Sequence, residues 1–179
     1  MQISEQQIYD AAPLFFRLKT EGYFDPDDAM APDIQAIRTE LGLGAHVQEK
    51  RYPPIHYWSI ECGQGWFDIV RDAATKIEVL LNAMVTAGTA VDDLPGCTQI
   101  KEKFGGLRLG WRAVEAVPIT QPMQSVIAQA EELALRTCAL CGEPGTRRPN
   151  LGLSPYCDAC ARTKTKRANG AQQTSGNTF

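Results

Sequence analysis

The chain predicts an α+β fold in which a small antiparallel sheet packs against amphipathic helices and is followed by a C-terminal four-cysteine zinc knuckle. Three features of the 179 residues carry that expectation. Apolar residues recur at steps of three and four from Trp66 to Met84, the period of a helix with one buried face. "QIKEKFGGLRLGW", residues 99–111, alternates apolar and polar positions about a glycine pair, as a hairpin does. "TCALCG" and "YCDAC" each contain a C-x-x-C pair, the ligand spacing of a zinc site.

Residues 1–50 form a helical N-terminal segment in this reading. Ser4 and Gln7 make a capping-box pattern, Pro13 limits continuation of the first helix, and Ile34, Ile37 and Leu41 share a helical face before Gly42 and Gly44. Residues 51–136 are the α+β core. Within "RYPPIHYWSIECGQGW", aromatic and β-branched residues predict a strand from Ile55 to Glu61, stopped by Gly63 and Gly65. The long helix follows at once, with Trp66, Ile69, Val70, Ala73, Ile77, Leu80, Leu81 and Met84 on its apolar face. A second amphipathic helix runs from about Gln121 to Arg136 on Val126, Ile127, Ala130, Leu133 and Ala134.

If Gly105-Gly106 is the two-residue turn of the hairpin, Phe104 faces Leu107, Lys103 faces Arg108, Glu102 faces Leu109 and Ile100 faces Trp111. Ile100, Phe104, Leu107, Leu109 and Trp111 then share the core side, and Lys101, Lys103, Arg108 and Arg112 share the other. Glu102 falls on the apolar side and needs a partner there. Like charges placed opposite each other on a sheet are unfavourable. The basic face therefore implies neutralising carboxylates from the acidic first part of the chain, or an anion- or partner-binding surface.

Residues 137–163 are the zinc-binding module. Cys138, Cys141, Cys157 and Cys160 can close a tetrahedron around one Zn²⁺ at about 2.3 Å per bond, and four thiolates leave no open position, so the ion is structural. Gly142 permits the tight turn that follows the first pair. Ser154 and Pro155 suggest a cap and first turn for a short helix at the second pair, favouring a treble-clef-like arrangement over a plain ribbon. Residues 164–179 have almost no apolar content and are expected as a mobile, basic and polar tail.

Charge separates along the chain. Residues 1–135 carry 11 Lys and Arg against 19 Asp and Glu, a balance of −8, and residues 136–179 carry 7 against 2, a balance of +5. The net charge of −3 gives no global case for nucleic-acid binding. No apolar run approaches the roughly 18 residues that span a membrane, and the first 30 residues lack the pattern of a secretion signal, so the cytoplasm is the expected compartment.

Nothing marks an enzyme of a known motif class. Cys62, at the start of the long helix, is the best nucleophile candidate, since a helix N-terminus favours a thiolate. His56, some 20 Å away along an extended strand, is too far to serve as its base. Cys62 and Cys97 read more simply as packed thiols. "ECGQGW" has the spacing of an anion-binding turn, though packing accounts for its glycines and Trp66 as well.

Together, "CGQGWFDIV", "QIKEKFGGLRLGW", an intervening helix and the paired cysteines resemble a widespread family of small phage and prophage proteins. In that family a G-x-G-W helix start accompanies a KEKFG-x-LR hairpin and a C-terminal zinc knuckle. Gly63, Gly65 and Trp66 match the first element; Lys101, Glu102, Lys103, Phe104, Gly105, Leu107 and Arg108 match the second. Gln64 departs from the family's frequent aspartate, and Cys160 stands where a histidine is frequent. The resemblance implies a phage or mobile-element accessory protein, with no established reaction. The expected function is a non-enzymatic, zinc-stabilised module that engages a host or phage protein. The alternative is nucleic-acid binding through Lys101, Lys103, Arg108, Arg112, Arg147, Arg148 and the tail from Lys164 to Arg167.

Overall fold

The computed structural model describes residues 3–21, 23–24, 51–52, 60–112 and 121–174. The predicted helical face of Ile34, Ile37 and Leu41, the strand residues before Ile60, His46 and His56 lie outside the described residues. The α+β class holds: among the described residues, helices accompany three two-stranded antiparallel sheets.

Helix α1 (Glu5–Asp10) opens on the predicted capping box, in which the Gln7 N–H donates to Ser4 Oγ and the Ser4 N–H donates to Gln7 Oε1 at 2.8 Å. Helix α2 starts at Pro13 and runs to Glu21, because proline is accommodated in a first turn and nowhere further in. The two helices are part of the core, so the expected boundary near residue 50 does not separate them from it. Ile8, Ala12, Phe15 and Phe16 are fully buried beside Trp66 and Ile77. The short strands β1 (Tyr23–Phe24) and β2 (Arg51–Tyr52) pair across that same boundary.

Helix α3 (Phe67–Thr86) buries the face predicted for it, including Ile69, Val70, Ala73, Ile77 and Leu81. The hairpin of β3 (Gly96–Lys103) and β4 (Gly106–Arg112) lies against α2 and helix α4 (Gln121–Ala134). Met123, Ile127, Ala130 and Ala134 are the buried residues of α4, whereas Leu133, expected among them, sits on the rim.

The hairpin register differs from the expected one. Lys103 pairs with Gly106, Glu102 with Leu107, Lys101 with Arg108 and Ile100 with Leu109. The turn is therefore Phe104-Gly105, one residue earlier than Gly105-Gly106. Both residues have positive φ, 52° and 75°, the signature of a type I′ turn, whose twist matches that of the strands. Phe104 is consequently at the tip and 71 % exposed instead of on the core side. Glu102 is exposed as well. A bulge between Cys97 and Gln99 resets the pairing so that Cys97 meets Trp111.

The strand expected at Ile55–Glu61 reduces, among described residues, to one parallel bridge. Glu61 donates to Ile100 and accepts from Glu102 through backbone groups, which covers the outer edge of β3.

Strands β5 (Thr146–Arg147) and β6 (Pro155–Tyr156) follow the first cysteine pair, and helix α5 (Asp158–Thr174) follows them. Knuckle, hairpin and helix in this order make the treble-clef-like arrangement. Ser154 and Pro155 are not its cap, because the helix starts three residues later. The tail expected to lack structure from Lys164 continues α5 as far as Thr174. Alanine, lysine, arginine and glutamine supply helix propensity there.

Candidate metal centre

Cys138 ends the turn after α4, Cys141 lies in the knuckle loop, Cys157 follows β6, and Cys160 is in the first turn of α5. The fold brings the four sulfurs within 4.8 Å of one another, and the Cys141 and Cys157 sulfurs are 3.6 Å apart. A tetrahedral ion bound at about 2.3 Å per sulfur sets its ligands about 3.8 Å apart, so the cluster fits such an ion with small adjustments. No histidine or carboxylate joins the four among the described residues.

The electrostatics of the cluster favour stepwise deprotonation. Burial works against ionisation of Cys138, yet N–H groups of Cys157, Leu140 and Cys141 outweigh it and hold the thiol at about 7. Cys160 is pushed the other way by burial and by its thiol neighbours Cys141, Cys157 and Cys138. A cation arriving at the first thiolate reverses that second effect, since metal binding and proton release are coupled.

The knuckle has a purpose-built seat. A Cβ on Gly63 would lie 2.0 Å from the carbonyl oxygen of Ala139, and one on Gly65 would lie 2.1 Å from that of Cys138. Both distances are far inside contact, so only glycine fits. The Gly65 N–H donates to Ala139 O at 3.0 Å, and the buried Trp66 indole N–H donates to Thr137 O at 2.9 Å. The G-x-G-W stretch thus holds the first cysteine pair, which decides for packing over an anion-binding turn.

The hairpin tip seats the other half of the module. A Cβ on Gly105 would meet the Leu153 carbonyl at 2.0 Å. Ser154 donates from its hydroxyl to Glu102 at 2.7 Å, and Arg147 donates to the Phe104 carbonyl at 3.0 Å. Glu102 therefore has its partner outside the core, on the metal module.

Lys101, Lys103, Arg108 and Arg112 do share one side of the ladder. Lys101, not Lys103, stands opposite Arg108. Arg108 is neutralised by Glu131 of α4 at 3.3 Å, and the same carboxylate accepts the Leu109 N–H. The Lys103 ammonium lies 5.4 Å from the centre of the Phe104 ring. The carboxylate that this face requires thus comes from the acidic part of the chain.

Cys62 is unsuited to nucleophilic attack. Burial, followed by the Glu102 and Glu5 carboxylates, pushes its thiol up to about 12. Burial and the two carboxylates override the helix-terminus effect expected to favour a thiolate. Cys97 is fully buried in β3.

Compared with known proteins, the chain matches no family model, no curated protein and no solved structure. No helix among the described residues is long and apolar enough to cross a membrane.

Missing from the sequence reading were the seat residues as such. Their signal is visible afterwards in the spacing of Gly63, Gly65 and Gly105, each of which meets a backbone carbonyl of the metal module.

Proposed function

We propose that the protein is a non-enzymatic binding module built around one structural zinc ion, of the accessory kind carried by phages and mobile elements, acting in the cytoplasm. Its resemblance to small prophage proteins with the same paired motifs supports the origin. The observation that carries the metal reading is the set of four sulfurs within 4.8 Å, seated from both sides by glycines of the core. Thiolate ligands in a tetrahedron suit zinc, and four of them leave no position for a reacting water.

The contact expected with a host or phage protein lies on the zinc knuckle, on the basic side of the hairpin, or on both. Arg108 is already paired with Glu131, and the backbone of the tip is docked on the metal module through Leu153 and Arg147, which leaves the Phe104 ring on the outside. These internal commitments favour a partner-binding surface on the outer side of the metal module.

Metal analysis of the purified protein tests this reading, with about one zinc per chain expected. Cys138→Ser should lose the metal and much of the thermal stability. Full metal and unchanged stability in that variant would overturn the proposal. Low-salt affinity purification from the host then shows whether protein or nucleic acid co-elutes.

A further inference from the structure

Two exposed features lie side by side, one on the hairpin tip, where the Lys103 ammonium approaches the Phe104 ring at 5.4 Å, and one on the metal module. The first is Phe104. A bulky side chain at φ 52° is a backbone outlier, and this one also holds its ring in solvent. Asparagine or glycine would make the same turn without strain. Residues kept in such conformations cluster at functional sites. Leu153, against the turn, is 56 % exposed and extends the apolar tip.

The second is a groove of about 680 Å³ between the β5–β6 connection and α5, lined by Arg147, Arg148, Leu151, Asp158, Arg162 and Lys166 among others. Asp158 is ion-paired with Arg148. Arg162 and Lys166 are exposed, one helical turn apart on α5. Arg147 joins the two features, because it lines the groove and donates to the Phe104 carbonyl.

We infer that this surface binds single-stranded nucleic acid, with the phosphodiester backbone in the groove along Arg147, Arg162 and Lys166 and a base stacked on Phe104. The inference rests on the binding-module reading above and names its partner. A cationic groove beside an exposed aromatic ring is the recurring solution for unpaired strands, since every base offers a π-face. A duplex keeps its bases stacked and would leave Phe104 and Leu153 without a partner. The acidic remainder of the chain repels the polyanion elsewhere and confines it to this side.

The test uses the zinc-loaded full chain and fluorescein-labelled single-stranded DNA and RNA of about 12 nucleotides, read by anisotropy at about 50 mM salt. Zinc content is measured on the same samples. Binding to one of the single strands, at least about tenfold tighter than to the matching duplex, is expected. The double variant R162E/K166E touches no seat residue. It should keep its zinc and melting temperature, lose about tenfold or more in affinity, and lower the slope of log K against log salt by about 1.4. Phe104→Asn should raise the melting temperature by relieving the turn and weaken binding at least about fivefold.

Zinc-loaded wild type that ignores both strands overturns the inference and leaves the zinc-module reading standing. So does unchanged affinity in both variants. Equal affinity for a polyglutamate peptide overturns it in favour of an acidic protein partner. A folded, zinc-free wild type that binds the strand overturns the zinc-module reading and supports the groove.

Discussion

The carboxylate of Glu78 accepts the N–H of Phe15, 63 positions earlier in the chain, at 2.9 Å, and that of Leu14 at 3.0 Å. These are two of the orphan donors in the first turn of α2, and Ala12 before it has no side-chain acceptor. A buried glutamate of α3 therefore acts as the cap that α2 lacks.

Glu78→Ala strips that cap and leaves both N–H groups in a buried setting, at a cost of about 2–3 kcal/mol. Urea denaturation of the metal-loaded protein should show it, with Glu78→Gln retaining roughly half of the effect through its remaining acceptor.

Gly65→Ala forces the Cys138 carbonyl away from the seat. A loss of more than about 3 kcal/mol is expected from the overlap. Competition with a chromophoric chelator should show weaker metal binding as well, since the displaced carbonyl belongs to a ligand residue.

Metal removal is expected to be reported by Trp66, which is fully buried and bonded to Thr137 at the foot of the knuckle. Chelation should move tryptophan emission to the red as the seat opens to water. The shift should be lost in Trp66→Phe.

Cys62 predicts an alkaline limit. Its folded thiol titrates at about 12 against an ordinary 9.0, so between these values the folded chain holds a proton that the unfolded chain has released. Stability present below pH about 9 is therefore lost as pH rises toward about 12. Denaturation midpoints measured across that window should fall, and the fall should be shallower in Cys62→Ala. Alkylation of Cys62 at neutral pH should be slow for the same reason.

The cysteine pairs and α3 were legible in the sequence because each is specified locally, one by ligand spacing and the other by an unbroken period. The hairpin was legible as an element and not in register. Gly105-Gly106 is the stronger turn signal, and the structure instead sets Phe104 at a position its side chain disfavours. The expected cap at Ser154 failed because the helix opens only at Asp158; the Ser154 hydroxyl instead donates to Glu102, 52 residues away. Docking of α2 depends on Glu78 and on Arg17, whose guanidinium reaches the carbonyls of Leu94 and Pro95. No window of sequence contains both sides of those contacts.

The seat also imposes an order on synthesis. Gly63, Gly65 and Trp66 leave the ribosome well before Thr137 and Cys138, which lie 71 or more residues after Trp66. Contacts of such long separation form late, so the nascent chain carries an open cleft beside Trp66 until Thr137 and Cys138 are released. On the proposed metal reading, closure would depend on capturing an ion, and chains that find none would stay exposed to chaperones and proteases. Accumulation of the protein should then follow the metal supply, which chelation during expression would lower.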